Sequence, residues 1–405
     1  MRVLLIGSGG REHALAWKLR QSPQLGELHA APGNPGIARL GECHPVHAED
    51  GEGLLDLARS LEADLVVVGP EVPLVAGVAD QLRHAGVRVF GPSRAAARIE
   101  GSKSFAKDVM RAAGVPTAES MAVARPPCVI KVDGLAAGKG VFVCPDQASL
   151  DEALRAASRL GQPLVIEEFL EGQEVSLFAL ADGRNAVALA PARDYKRIGD
   201  GDTGPNTGGM GAYSPVAELS DSDVEELLET VHRPVLAELT ARGAPFVGLL
   251  YAGLMLTDSG PKVLEFNCRF GDPETQAILP RLRGDLLETL AAAAVGDLAS
   301  AEVGVSGEAA VTVVLAGRDY PAGGDSGTPI DGVEEAETEA LVFHAGTAVH
   351  GGRLVTNGGR VLNVTALGPS LEEAREAAYA ACGHISFDGM QYRRDIGTRT
   401  ADVAT

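Results

Sequence analysis

The sequence predicts a multidomain α/β and α+β protein: a parallel-sheet domain first, a β-rich middle carrying a small separate unit, and a mixed α+β module last. Three observations lead there. The chain has 405 residues, room for two to four domains at about 100–200 residues each. Its first hundred residues alternate short apolar runs with amphipathic ones, the rhythm of a parallel sheet covered by helices on both faces. From residue 175 onward the runs pair across short polar turns, the pattern of antiparallel strands.

Taken in order, strands are expected at 2–6, 27–31, 65–68 and 87–90, with helices near 13–21, 54–61, 75–85 and 94–99. Each strand runs into a Gly- or Pro-rich turn: GSGGREH, APGNPG, GPEVP and GPS. Ligands bind at the carboxyl ends of such strands. A helix at 102–113 stops at 114–116. Strands at 129–132 and 141–144 flank DGLAAGKG, followed by a helix at 149–160 and a strand at 164–169. Strands at 175–181 and 186–190 pair across 182–185. A Gly-rich stretch at 200–213 reads as a long structureless loop, which inside a compact domain is usually functional. A helix at 221–240, a hairpin of 248–257 with 262–267, and a helix at 285–295 complete the middle. The last module carries strands near 310–315, 341–344 and 360–366 and a helix at 371–382.

Composition narrows the function class. Apolar residues are 45% and charged residues 22%, globular values that exclude a disordered chain. No run of 18 uncharged apolar residues occurs, and MRVLLIG is too short for a span or a signal peptide. Five scattered cysteines without CxxC argue against disulfides and zinc, and for a reducing cytoplasm. The net charge of −20 repels nucleic acid. Small-molecule partners are expected, for a monomer of the cytoplasm with no nucleic acid and no membrane.

Two phosphate-loop motifs fail. After the first strand, Gly7-Ser8-Gly9-Gly10 lacks the third glycine of a dinucleotide fingerprint, having Glu12 instead. The turn is either a plain tight turn or a phosphate cradle assisted by Arg11. The run from Asp133 to Gly140 is no Walker loop, because three residues separate Gly134 from Gly138 and Gly140 stands in place of Ser or Thr. It joins two strands, so with Lys131 and Lys139 it reads as a flap closing on phosphates, against the alternative of an ordinary hairpin. Glu167, Glu168 and Glu174, around a strand end, suit an adenosine or are simple surface acids. On the strand at 262–267, alternation sets Glu265, Asn267 and Arg269 on one face and Leu264, Phe266 and Cys268 on the other. A carboxylate and an amide oxygen two residues apart suit Mg²⁺, and Arg269 can neutralise a phosphoryl or acyl oxygen. Asp272 and Pro273 then read as N-cap and first residue of a helix.

Together these motifs resemble the ATP-grasp superfamily and, within it, the phosphoribosylamine–glycine ligase family. The resemblance rests on GSGGREHALAWK, GPEVPLV, EGSKSFAK, IKVDGLAAGKGV, IEEFLEGQEVS, DGDTGPNTGGMGAYSP, LYAGLM, EFNCRFGDPETQ, FHAGT and NGGRVLNVTALG, nearly the whole chain. DGDTGPNTGGMGAYSP and EFNCRFGDPE are the specific ones. The resemblance implies an N domain (1–100), an A domain (101–117 and 179–305), a B-domain flap (118–178) and a C-terminal domain (306–405). It implies ligation of glycine to 5-phosphoribosylamine with ATP, through an acyl phosphate, giving glycinamide ribonucleotide, ADP and phosphate in purine synthesis.

The roles it implies are specific. ATP would be held by Lys103, Lys131, Gly134, Gly138, Lys139 and Gly140, with Glu167, Glu168 and the Leu170 backbone at adenine and Glu174 at the ribose. Mg²⁺ or Mn²⁺ would sit on Glu265 and Asn267, with Arg269 and Lys139 catalytic. The sugar phosphate would meet Gly9, Gly10, Arg11, Glu12, Asn34 and Glu71. Asp194, Gly208, Gly209 and Met210 would lie by glycine or the phosphates. Two departures stand out: Tyr195 where the family commonly shows His, and a short stretch between Cys144 and Leu164. A biotin carboxylase-like or formate-using relative would lack the DGDTGPNTGGMGAYSP loop. A non-catalytic nucleotide sensor would lack the metal carboxylate or the phosphate lysines.

Overall fold

The computed structural model describes residues 1–135, 140–161, 163–301 and 303–398. Strands β1 (Arg2–Gly7), β2 (Glu27–Pro32), β3 (Glu42–Cys43), β4 (Leu65–Val68) and β5 (Val89–Phe90) form one parallel sheet in the order β3-β2-β1-β4-β5. Both faces are covered. Leu4, Ile6, Val66 and Val68 enter one core, while Val3, Leu5, Leu65 and Val67 enter another. That is why β1 and β4 read as unbroken apolar runs. The helix expected at 75–85 is two, Glu71–Ala76 and Val78–His84, because Gly77 takes φ +95° and ends the first.

The flap is an antiparallel sheet of β6 (Cys128–Val132), β7 (Val141–Cys144) and β8 (Leu164–Glu168), ordered β7-β6-β8. Helix Gln147–Ser158 covers it, giving a small core of Cys128, Ile130, Leu150 and Ala153. Its Gly-rich loop carries Gly138 and Lys139, which lie outside the described residues.

The chain continues through β9 (Gln173–Asp182), β10 (Ala186–Ala188), β11 (Arg193–Asp194), β12 (Arg197–Gly199), β13 (Thr203–Asn206), β14 (Gly211–Ser214), β15 (Val247–Thr257) and β16 (Gly260–Asn267). A four-stranded sheet runs β10-β9-β15-β16, with β9 and β15 paired over ten positions. The stretch expected to be a structureless loop is not one: β12 and β13 pair as a hairpin, and β11 and β14 join the C-terminal sheet. Between Asp221 and Ala241 the helix carries a π-turn, Leu228–His232, just before Pro234. Pro234 has no N–H for the regular ladder, and the wider turn absorbs that loss.

The C-terminal sheet adds Ala309–Ala316, Arg360–Gly368 and Leu341–His344 beyond β14, under helix Leu371–Cys382. A second small sheet of Asp325–Pro329, Arg353–Gly358 and Thr347–His350 had no sequence signal strong enough to be read.

Candidate active site

A cleft of ≈ 770 Å³ opens between the flap, the four-stranded sheet and the ends of the N- and C-terminal modules. Its floor is the end of β16. Gly253 pairs with Glu265 while Leu254 pairs with Val263, so Leu264 is the extra residue of a bulge. The expected alternation therefore breaks at Leu264 and holds from Glu265 to Arg269. Val263 and Cys268 are buried in the core, Phe266 is buried there with an edge on the cleft, and Leu264 lines the cleft beside Glu265, Asn267 and Arg269.

The charges here are mutually arranged. Burial pushes the Glu265 carboxyl up, but Lys196, Lys131, Lys103 and Arg269 together hold it below its usual range. Arg269 Nε lies 3.3 Å from Glu71 Oε2, and its Nη2 lies 3.3 Å from Glu100 Oε1. Glu71 is drawn down to about 2 by Arg269 and Arg11 despite burial. Glu100, which also accepts the Cys268 N–H at 2.8 Å, is pushed up by burial. Lys131 Nζ donates to Leu264 O at 2.7 Å and pairs with Glu167 Oε2 at 2.6 Å. Lys107 Nζ holds the other Glu167 oxygen at 3.0 Å. Lys103 Nζ donates to Gly134 O at 3.0 Å, and Lys196 pairs with Glu174. Asp194, also lining the cleft, is pushed above its usual range by burial, with Lys196 opposing and Glu274 reinforcing.

Of the expected residues, Glu71, Lys103, Lys131, Gly134, Gly140, Glu167, Glu168, Leu170, Glu174, Asp194, Gly208, Glu265, Asn267 and Arg269 line this cleft. Others are placed differently. The Glu167 carboxylate holds Lys107 on one oxygen and Lys131 on the other, so it also positions the Lys131 ammonium. Glu12 caps its own turn: Gly9 N–H donates to Glu12 Oε2 at 2.7 Å, and Arg11 Nε donates to Glu12 Oε1 at 2.6 Å. A Cβ on Gly7 would stand 2.5 Å from Glu12 Cγ, so the glycine there makes room for this glutamate. Arg11 is 6% exposed and also binds Phe270 O. Gly9, Gly10, Arg11 and Glu12 do not line the cleft.

Asn34 is likewise consumed. Its Nδ2 donates to Ser8 O and His344 O, both at 2.8 Å, while its Oδ1 accepts the Ile37 N–H. It ties the N-terminal turn to the C-terminal module. Met210 is fully buried, with its N–H bonded to Tyr195 O and its carbonyl to Val314 N. Gly209 N–H is taken by Thr207 Oγ1, and a Cβ there would overlap Pro273. Asp272 is not a helix cap. Arg360 and Gln276 hold its two oxygens at 2.9 and 2.8 Å, and the helix Glu274–Ile278 starts without a side-chain cap. Tyr195 secures the C-terminal segment: its hydroxyl accepts Gly397 N–H at 3.1 Å, and the Arg393 guanidinium lies over its ring.

Sequence reasoning assigned no role to Lys107, Glu100, Lys196 or Glu274. Lys107 had a visible signal, one helical turn beyond Lys103 on the same face, and Glu100 and Glu274 stood inside motifs already quoted.

Residues 1–100, 101–275 and 310–399 match the N domain, the ATP-grasp (A) domain and the C domain of phosphoribosylglycinamide synthetase. The chain belongs to the phosphoribosylglycinamide synthetase family. Among family members, the phosphoribosylamine–glycine ligase of Streptomyces coelicolor is 53% identical over 418 residues, covering 99% of this chain and 100% of that protein. The Rhizobium meliloti enzyme of the same name is 50% identical over 419 residues, covering 98% of each. The crystal structure of phosphoribosylamine–glycine ligase from Thermotoga maritima superposes with a TM-score of 0.83 at 38% identity, covering 98% of this chain and 100% of that one. The biotin carboxylase domain of Hydrogenobacter thermophilus 2-oxoglutarate carboxylase shares the fold, with a TM-score of 0.71 at 16% identity over 96% of this chain and 91% of that one. The three family domains together cover residues 1–275 and 310–399.

Proposed function

We propose that this protein ligates glycine to 5-phosphoribosylamine with ATP, giving glycinamide ribonucleotide, ADP and phosphate through glycyl phosphate, in de novo purine synthesis. The observation that carries the reading is the full-length family match joined to a cleft where Lys103, Lys131, Arg269, Glu265 and Asn267 converge.

A carboxylate is a poor electrophile, and phosphorylating it makes an acyl group that an amine can attack. The cleft lining suits that route. Among the described residues it contains no Ser, Cys or His to act as nucleophile or base, but it is rich in cations. Lys103 and Lys131 hold phosphates, and Glu167 with Lys107 keeps the Lys131 ammonium aimed. Arg269, clamped between Glu71 and Glu100, neutralises the transferring phosphoryl group or the acyl oxygen. Glu265 and Asn267 fit a hard divalent cation: one carboxylate kept ionised, and one amide oxygen whose protein contact is a 3.5 Å approach of Arg269. Such a cation, Mg²⁺ in our reading, would supply charge neutralisation to the phosphates. Val129, Val141 and Phe169 line an apolar slot for adenine. No hydrogen bond among the described residues occupies the Leu170 backbone, which is free to read it. Glu168 lies in the same lining for adenine and Glu174 for the ribose, and Asp194 and Gly208 face the glycine side. We assign phosphoribosylamine to the N-domain side near Glu71. The five free cysteines are in keeping with a reducing cytoplasm, where we place the protein as a monomer.

ADP release should require glycine and phosphoribosylamine together, and glycine labelled with oxygen-18 in its carboxylate should pass one label to phosphate. Equal turnover with bicarbonate or formate in place of glycine would overturn the assignment, and unlabelled phosphate from productive turnover would remove the acyl phosphate.

A further inference from the structure

A second cluster of ligand-grade side chains sits at the far edge of the N-terminal sheet. Parallel register sets His29 of β2 beside Glu42 of β3. Alternation along the strands puts Glu27 and His44 on the same face. His29 Nδ1 lies 3.0 Å from His44 Nε2 and 3.9 Å from Glu42 Oε2. One ligand atom from each of the three lies within 4.8 Å of the others. The second ring nitrogen of His29, Nε2, faces Glu27 Oε2 at 3.5 Å. None of the four lines the cleft, and the ligase chemistry uses none of them.

The spacing is close to that of a coordination shell. With metal–nitrogen bonds of about 2.0–2.1 Å in a tetrahedral site, two ligand nitrogens stand roughly 3.3–3.4 Å apart. The imidazoles need to part by only a few tenths of an ångström. Glu42 has a largely exposed side chain and can close its gap by a rotamer change. A carboxylate behind a ligating histidine fixes its tautomer and raises its basicity. Glu27 accepting from Nε2–H leaves the Nδ1 lone pair aimed at His44 and Glu42. The His29 ring is 8% exposed, so its orientation is set by packing.

We propose that His29, His44 and Glu42 form a binding site for a divalent transition metal of the zinc class, with Glu27 orienting His29 and water completing the shell. Two imidazoles and one carboxylate suit zinc and its neighbours, whereas Mg²⁺ takes oxygen ligands, so this site and the cleft select different ions. Histidine supplies what the scattered cysteines do not. The site bridges β3 to β2, which pair at only two positions, His29 with Glu42 and Ala30 with Cys43. A bound ion would pin this short edge strand to the sheet.

The test uses the full-length chain stripped with EDTA and titrated with zinc chloride in excess magnesium, with cobalt chloride as the spectroscopic probe. One equivalent should bind, raise the melting temperature and leave ligase activity with magnesium and ATP unchanged. Cobalt should give the intense visible bands of a four-coordinate site. His44→Gln and Glu42→Gln should each weaken binding at least about 10-fold, and Glu27→Gln by about 10-fold. Both His44 and Glu42 are solvent-accessible, and unchanged ligase activity of the variants establishes that they fold. Zinc bound by His44→Gln and Glu42→Gln with wild-type affinity would overturn the site. So would zinc displaced by magnesium, or no stoichiometric binding.

Discussion

Glu265 is the residue on which the metal reading turns. Four cations hold its carboxyl ionised, and β15 beside it carries no acid of its own. Glu265→Gln keeps the shape and removes the charge. Turnover should fall on the order of 100-fold or more, with part of the loss recovered at high magnesium. Unchanged turnover and magnesium dependence would move the metal elsewhere. A different kind of residue is Glu167, buried between two lysine ammoniums. Removing its charge strands both cations in a dry site, where breaking a buried pair costs about 3–5 kcal/mol. Glu167→Gln should therefore show a large loss in denaturant melts. Lys131→Ala leaves Glu167 paired with Lys107, so it should cost less stability while still raising the KM for ATP. If the two variants lost equal stability, Lys131 would be a structural member of the triad.

At the scale of the element, helix Lys103–Ala113 is held at its N-terminus from two directions. Ser102 caps it, accepting Phe105 N–H at 3.2 Å. Asp133, which belongs to the flap, accepts Lys103 N–H at 2.6 Å and Ser104 N–H at 3.3 Å. Burial pushes the Asp133 carboxyl up, but its bonds from Ser104 and Lys103 outweigh that and hold it low. Asp133 therefore latches the flap to the helix that supplies Lys103. Asp133→Ala should cost about 1 kcal/mol, the usual loss for a helix cap, and raise the KM for ATP several-fold because the flap loses its anchor. A normal KM with the same stability loss would make Asp133 a cap and nothing more.

Over the whole molecule, the N- and C-terminal modules meet through two buried histidines. His13 Nδ1 accepts the His344 N–H at 2.8 Å. Burial, aided by the charges of His344 and Arg39, pulls His13 down to about 3, and burial pulls His344 down to about 4. The ordinary value is about 6.5. Between about 6.5 and these folded values the unfolded chain binds protons that the folded one refuses. Stability is thus intact above pH 6.5 and falls as the pH drops toward 4, by about 1.4 kcal/mol per pH unit per histidine. His232, buried and also pulled to about 4, adds to the slope. Melts from pH 7.5 to pH 5 should show this decline, and His344→Asn should make it shallower. An identical slope in His344→Asn would exclude that histidine from the acid sensitivity.

The parallel N-terminal sheet and the β1 turn, flap-sheet and β16 strands were legible in the sequence because each rests on local rules: apolar periodicity, glycine placement and alternation along a strand. So were Lys131, Glu265, Asn267 and Arg269 as cleft residues, from charges and amides set along apolar strands, while Lys103 came only from the family resemblance of EGSKSFAK. Tertiary structure decided which polar groups remain free. Asn34 and Met210 lie in motifs that read as ligand-binding, yet their side-chain or backbone polar groups are consumed by partners far away in the chain, His344 and Val314. Leu264 turned into the cleft through a bulge whose cause lies in pairing with β15. Lys107 and Glu100 became part of the site only when folding brought them to Glu167 and Arg269. The physical reason is common to all of these: a sequence shows which groups can donate, accept or carry charge, but their partners are chosen by long-range packing, and a buried polar group goes to whichever partner the fold delivers.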